Sequence, residues 1–307
     1  MLPTHAFHVV FTLPRQLRRL ALCNRELVFD LMFACAAESL LDLGRDPKWL
    51  GAELGVTSVL HTWRRDLRFH PHVHCIVTGG GLSLDGERWV ATPANFLVPV
   101  RALGALFRGK LLDGLRRAYD RGQLKLVGPA ASLAERERFV RLCDELYKKR
   151  WVVYCKPPFG GPDQAFRYLG HYTHRVGISN DRLVSFDDRG VTFRTRDGGR
   201  ATVTAHEFLR RFVLHVLPKG FVKIRHHGLF APSHIATKLA TARRLLQAQD
   251  STPPSPEPRA APQDFRELLL ALTGLDLRRC PRCGALAVVR RPLPLAPAVA
   301  PEAADTP

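Results

Sequence analysis

Residues 70–77 read HPHVHCIV, with a histidine at the first, third and fifth positions. Successive side chains of a β-strand point to opposite faces, so His70, His72 and His74 would share one face. The intervening residues are apolar, and this alternation predicts a strand with its other face on a hydrophobic core. Pro71 cannot donate a hydrogen bond to a neighbouring strand, which suits an edge strand, a bulge or the first residues of a strand.

The histidine face has two interpretations. It is either a polar strand face on which the histidines are incidental, or a metal site, because neutral imidazole is a common metal ligand in proteins. The periodicity alone leaves both open.

The composition points to a polyanionic partner. The 307 residues include 46 Lys and Arg against 28 Asp and Glu, a net charge of +18. Such a balance favours nucleic acid, and the sequence has neither a membrane-spanning run nor an evident signal peptide. The seven cysteines are mostly isolated in apolar segments, which is typical of a reducing compartment. We therefore expect a cytoplasmic, nucleoid-associated protein of bacterial type with no membrane partner.

The remaining hydrophobic patterns predict alternating strands and helices. Besides the histidine strand at 68–78, the predicted strands are at 7–13, 56–63, 151–155, 182–186, 190–196 and 200–205. The predicted helices are at 15–44, in two pieces within 97–150, from about 162 to 175, up to about 216, and at 233–249.

A second stretch, QAFRYLGHYTHR at 164–175, carries two of the five tyrosines in the chain. Tyr168 and Tyr172 are four apart on a predicted helix and would stack on one face. They are either an aromatic stripe against the core or exposed nucleophiles, since a tyrosine hydroxyl can form a covalent intermediate. The polar and basic residues around them favour the second interpretation.

Together these features suggest breakage and joining of a DNA phosphodiester through a phosphotyrosine. Metal-bound histidines would stabilise charge at phosphorus, and the basic surface would hold the DNA. Because the covalent link conserves the bond energy, no nucleotide cofactor is needed. Two tyrosines would allow two strand transfers without release of the substrate.

HPHVHCIVTGGG together with YLGHY resembles the two-tyrosine HUH transposases of the insertion-sequence ninety-one type, which move by a rolling-circle-like route. The HUH motif, a histidine pair around a hydrophobic residue, is His72-Val73-His74 here. Similar stretches cover most of residues 6–288. The resemblance implies an α+β fold, with a central antiparallel sheet, flanking helices and the histidine strand at the centre.

The same resemblance implies the chemistry, that of a DNA strand transferase or endonuclease. His72 and His74 would bind a divalent metal, Mg or Mn, and Tyr168 and Tyr172 would attack single-stranded DNA at transposon ends and target. The products would be 5′-phosphotyrosine links and free 3′-hydroxyl ends. A third protein ligand is usual in this superfamily: Gln164, one helical turn before Tyr168, is the tentative choice, and His70 is the alternative.

Four basic residues are candidates for phosphate contacts. They lie after the second tyrosine and in the stretch LPKGFVKIRHH, and they are Arg175, Lys219, Lys223 and Arg225. Such contacts contribute affinity and position rather than sequence choice.

The sequence divides into five predicted parts. They are an HUH nuclease domain at 1–217 with a helical insertion at about 97–150, a basic DNA-contacting region at 218–250, a Pro-rich linker at 251–263, a short segment at 264–290 and a disordered tail at 291–307. The short segment contains Cys280 and Cys283, which have half the spacing of a zinc ribbon and fit a turn equally well.

The chain departs from its family pattern at the start, where members usually carry a cysteine-rich, zinc-binding segment. The sequence therefore also allows a truncated, inactive remnant that only binds DNA. A replication initiator or relaxase would share the histidine chemistry, although relaxases tend to carry the tyrosine before the histidine motif.

Overall fold

The computed structural model describes residues 2–93, 95–159, 177–195 and 198–249, together with positions 276, 279 and 285. The chain divides into two compact units, Met1–Pro253 and Pro254–Pro307. All that follows concerns the first unit. The predicted linker and tail, and both cysteines of the CPRCG stretch, lie outside the described residues.

Nine described strands form two antiparallel sheets. They are β1 (Ala6–Thr12), β2 (Ala52–Trp63), β3 (Phe69–Ser83), β4 (Trp89–Ala91), β5 (Val153–Phe159), β6 (Leu183–Asp187), β7 (Gly190–Arg194), β8 (Arg200–Val203) and β9 (Ile224–Gly228). The large sheet has the order β5-β1-β3-β2-β9, with β4 on the far end of β3, and the small sheet has the order β6-β7-β8. The histidine strand β3 is therefore central, which confirms the predicted fold class.

Six described α-helices accompany the sheets. They are α1 (Arg18–Cys23), α2 (Arg25–Arg45), α3 (Val100–Asp120), α4 (Arg136–Lys148), α5 (Ala205–Val213) and α6 (Lys238–Gln249). None of the described helices is long and apolar enough to cross a membrane.

One face of the large sheet carries the main core. Val73 and Cys75 on β3 lie beside Val9 and Phe11 on β1, and all four side chains are fully buried. Helices α2 and α3 contribute buried aromatic rings to the same core, among them Phe29, Phe33 and Phe107. Each such side chain stabilises the fold by about 1.5–3 kcal/mol through burial. Cys75 and three other described cysteines, Cys23, Cys35 and Cys143, are free thiols.

A bulge interrupts the pairing of β2 with β3 just before the hairpin turn. His61 pairs with His72, but Trp63 pairs with Phe69, so Thr62 alone lies opposite His70 and Pro71. An extra residue of this kind bends the strand and shifts its register by one. Pro71 thus occupies a bulge in the first residues of its strand, where its missing N–H costs little.

A buried histidine supports this turn from outside the sheet. His215 Nε2 donates to the carbonyl of Leu67 at 2.9 Å, so its Nδ1 accepts from the Thr62 hydroxyl at 3.2 Å. Burial lowers the pKa of His215, which favours the neutral ring that both bonds require. Leu67 itself has a left-handed backbone with φ of 60° and packs against Val191 and Phe193 of the small sheet.

Two of the predicted segments contact the rest of the first unit. Helix α3 of the predicted insertion packs on α2 and β5, so it forms part of the main helical layer. The predicted basic region at 218–250 contains β9, which pairs with β2 along Gly55–Val59. The division at residue 217 stays a prediction.

The opposite end of β2 is anchored through Glu53, whose side chain is 8% exposed. Its carboxylate accepts from Lys238 of α6 at 2.5 Å and from Arg45 at the end of α2 at 3.3 Å. Burial raises the pKa of Glu53, but the hydrogen bonds and charges of Lys238 and Arg45 outweigh that effect and leave it below its usual value.

We expect Glu53→Gln to lower the free energy of unfolding by about 1.5–3 kcal/mol at pH 7, the range for hydrogen bonds to charged groups. Since the folded pKa is depressed, this contribution is complete above the ordinary glutamate pKa of about 4.3 and disappears as pH falls through the folded value. Urea unfolding at several pH values measures it. Glu87→Gln in the exposed β3–β4 turn is the control, and equal effects of both changes at pH 7 would contradict the anchor.

Candidate metal centre

Three histidines meet on the face of the large sheet that lies opposite the main core. They are His61 on β2 and His72 and His74 on β3, and their ligand nitrogen atoms all lie within 4.8 Å of one another. The pairing of His61 with His72 places them side by side across the two strands. The ring centroids of His61 and His74 are 4.3 Å apart. We call these three residues the histidine group.

Burial holds the ring of His72 in the protonation state that a metal requires. Burial lowers the pKa of His72 to about 4, although the hydrogen bond to the His70 carbonyl raises it. At neutral pH this ring is therefore uncharged and carries a lone pair on one nitrogen. His61 is buried as well.

Hydrogen bonds fix which nitrogen faces the centre. His72 Nδ1 donates to the carbonyl of His70 at 2.6 Å, which leaves Nε2 as its ligand atom. His74 Nδ1 is bonded to Nε2 of His8 on β1 at 2.7 Å. Metal-binding histidines usually bond through their second nitrogen in this way, which orients the ring and raises its basicity.

The group therefore fits a divalent metal ion. Three imidazole rings come from two neighbouring strands of the sheet, and two of the rings are oriented by hydrogen bonds. Imidazole suits transition metals, whereas Mg prefers oxygen ligands and near-octahedral geometry.

Only some of the predicted histidine ligands belong to the histidine group. His72 and His74 belong to the histidine group, but His70, the alternative third ligand, does not: its Nδ1 accepts from Arg18 Nη2 at 2.6 Å. The third member is His61, which the sequence analysis missed. His8 was missed as well, because each is a single histidine in an apolar strand and only the strand register reveals its neighbours.

Several predicted site residues lie outside the described residues. They are both candidate nucleophiles, the tentative amide ligand, one basic residue and the cysteine pair, namely Tyr168, Tyr172, Gln164, Arg175, Cys280 and Cys283.

The other three basic candidates lie in different surroundings. Lys223 Nζ is 5.1 Å from the Trp63 ring, and Trp63 stacks on His61 with centroids 4.9 Å apart. Lys223 therefore lies beside the histidine group, and burial lowers its pKa. Lys219 is exposed.

Arg225 lies on the other side of the sheet from the histidines. Its guanidinium pairs with Asp30 and lies 4.5 Å from the ring centroid of Phe33, both on α2. The guanidinium of Arg225 is therefore bound to α2 and does not lie beside the histidine group.

A family model described as "Putative transposase" (Y2_Tnp) matches residues 55–238. The match covers more than half of the chain, including the whole histidine group. The chain belongs to this transposase family. The family resemblance noted in the sequence is thereby confirmed.

Two curated relatives extend the match. The chain is 46% identical over 289 residues to "Putative transposase y4qJ" of Sinorhizobium fredii (strain NBRC 101917 / NGR234), which covers 92% of this chain and 72% of that protein. It is 30% identical over 285 residues to "Transposase for insertion sequence element IS801" of Pseudomonas savastanoi pv. phaseolicola, covering 91% of this chain and 65% of that protein. The transposase chain thus spans about two thirds to three quarters of these relatives.

Solved structures with a similar arrangement are those of the conjugative relaxase TrwC. In complex with oriT DNA and in a metal-bound form, it matches with a TM-score of 0.32 and 15% identity over 78% of this chain and 72% of that chain. The metal-free complex gives a TM-score of 0.31 and 14% identity, with the same coverage. Likeness at this level carries no argument about the site of this transposase.

We expect His61→Ala to weaken Mn binding by more than the 10–100-fold that is typical of lost outer-sphere partners. His70→Ala is the matched control, since the carbonyl that orients His72 belongs to the backbone and remains. Titration calorimetry with MnCl2 measures both affinities. A large loss in His70→Ala with none in His61→Ala would overturn the choice of third ligand.

We expect His8→Phe to weaken Mn binding by about 10–100-fold, because His74 loses the partner that orients it. His5→Phe, three residues earlier in the chain, should leave the affinity unchanged. The same titration serves, with thermal unfolding of both variants to show that they are folded. An affinity equal to that of the wild type in His8→Phe would show that the ring of His8 plays no part in the centre.

Proposed function

We propose that this transposase nicks and rejoins single-stranded DNA through 5′-phosphotyrosine links on Tyr168 and Tyr172, with a divalent metal held by the histidine group. The observation that supports it is a cluster of three imidazoles on the central strand β3 and its neighbour β2, in a chain from a transposase family. The two tyrosines follow about a hundred residues later in the sequence.

The reaction divides into parts that named residues can perform. A metal bound at the histidine group would act as a Lewis acid toward a phosphate oxygen. The phenol oxygen of one tyrosine forms a bond to phosphorus as its proton is removed, and the bond from phosphorus to the 3′ oxygen breaks. That oxygen takes up a proton and leaves as a free 3′-hydroxyl.

Rejoining is the reverse displacement. A 3′-hydroxyl attacks phosphorus, a new phosphodiester forms, and the tyrosine recovers its proton. One phosphorus–oxygen bond replaces another at each step, so no nucleotide cofactor is consumed. Two tyrosines would hold two DNA ends at once, which is what transfer between a donor and a target requires.

The donor set favours Mn over Mg as the metal. Imidazole nitrogen binds Mn better than Mg, which takes oxygen ligands and keeps several waters, and it binds later transition metals more tightly still. A carboxamide such as Gln164 would add one oxygen without changing that preference.

The neighbours of the histidine group suit a DNA strand. Lys223 Nζ, 5.1 Å from the Trp63 ring, would meet a phosphate. Trp63, stacked on His61, would offer a flat surface to an unpaired base, and base–aromatic stacking is a common feature of single-strand binding. The net charge of +18 supports the same partner at longer range.

A denaturing gel tests the proposal. Purified protein is incubated with MnCl2 and single-stranded oligonucleotides from both ends of the DNA element that encodes it. We expect a covalent protein–DNA adduct, abolished in the Tyr168→Phe, Tyr172→Phe double variant and retained in Tyr147→Phe, which removes an exposed hydroxyl on α4. Binding of the same DNA with no adduct would support a protein that only binds DNA.

A further inference from the structure

Arg18 is the residue that links the bulge to the start of the helical layer. It is the first residue of α1, and its Nη2 donates to His70 Nδ1 at 2.6 Å. The carbonyl of His70 in turn accepts from His72 Nδ1. The ring centroids of His70 and His72 are 5.2 Å apart. A permanent positive charge therefore lies one histidine away from the proposed metal.

The charge of Arg18 is not balanced within the described part of the chain. Among those residues it makes no ion pair within 4.0 Å, and its hydrogen-bond partner His70 accepts through the lone pair of Nδ1 and offers it no negative charge. Asp66 is near enough to act on Arg18 at longer range, but its carboxylate pairs with Arg68 at 3.5 Å.

Like charges surround the guanidinium as well. Burial first, and then the charge of Arg64 and more weakly that of Arg15, lower the pKa of Arg18. Arg15 and Arg64 are both exposed. A guanidinium stays protonated in proteins even when its pKa is lowered. The surroundings of Arg18, beside the histidine group, therefore carry a net positive potential.

One donor of Arg18 also has no acceptor. Its Nε is buried and has no hydrogen-bond partner among the residues that the structure describes. A buried donor without a partner costs roughly 1–3 kcal/mol, and more for a charged group. A phosphate would remove that cost, since the guanidinium edge can donate to two of its oxygens at once.

We propose that Arg18 binds a backbone phosphate of the DNA strand next to the phosphate at the histidine group, with Arg15 and Arg64 at the edge of this site. The site rests on the proposed function, because its ligand is the same DNA strand. It would fix the strand one nucleotide from the reacting phosphorus and so set which phosphate reaches the tyrosine. Arg18 is not among the four basic residues selected from the sequence.

A second role for Arg18 makes a different prediction. If the side chain only held the backbone of the bulge in place, its loss would move the His70 carbonyl, disturb His72 and weaken metal binding, and would leave metal-free DNA binding unchanged. If Arg18 contacts a phosphate, its loss weakens metal-free DNA binding and leaves Mn binding unchanged. The two roles are therefore separable by measuring Mn affinity and DNA affinity in the same variants.

The test uses the full chain in EDTA and a set of single-stranded oligonucleotides that each carry one uncharged methylphosphonate. We expect one position to weaken wild-type binding most, and that penalty to be absent in Arg18→Gln. In Arg18→Gln the slope of log affinity against log salt should fall by about 0.7, the value for one phosphate contact on a single strand. Mn affinity should not change.

Two further variants serve as controls. Arg141→Gln removes an exposed charge on α4 and should keep the wild-type methylphosphonate pattern. Arg18→Lys keeps the charge without the guanidinium fork and should restore the salt slope. Thermal unfolding of each variant shows whether it is folded.

Three results would overturn the site. The first is an unchanged methylphosphonate pattern in Arg18→Gln, and the second is a loss of Mn affinity with unchanged DNA binding. The third is binding of inorganic phosphate at Arg18 while DNA affinity does not depend on the position of the methylphosphonate, which would identify a free anion as the ligand. If the pattern holds but the wild type forms no covalent adduct with Mn, the nicking proposal fails and the phosphate site stands.

Discussion

The bulge at Thr62, opposite His70 and Pro71, is the constraint on which the histidine group depends. Side chains alternate along a strand, so a shift of one residue moves every side chain to the other face of the sheet. Without the bulge, pairing of Trp63 with Phe69 would continue as His61 with Pro71. With it, His61 lies opposite His72, and three imidazoles share one face.

The rest of the fold keeps that register in place. Val73 and Cys75 alternate with the histidines and are fully buried in the core, so β3 cannot slide without exposing them. His215 bonds to both sides of the hairpin turn, and β1 adds His8 as a partner for His74. A site built on central strands and oriented by further hydrogen bonds is held more rigidly than one on loops.

The sequence predicts two of the three members of the histidine group, and the third is missed for a physical reason. His72 and His74 follow from the period of two, as do the central strand and the antiparallel sheet. His61 does not follow from this period. A regular hairpin with five loop residues at 64–68 would pair His61 with Pro71. The bulge that changes this pairing depends on tertiary contacts, such as the hydrogen bonds of His215. The place of the strand Ile224–Gly228 at the edge of the sheet is not predicted for a similar reason, because it depends on backbone pairing with β2 rather than on its basic side chains.

Anomalous diffraction from crystals grown with MnCl2 would locate a metal at the histidine group. We expect one strong manganese peak within coordination distance of His61, His72 and His74, with His70 bonded to Arg18 rather than to the metal. A peak bound by His70, His72 and His74 with His61 turned away, or no peak at the histidine group at saturating Mn, would contradict it.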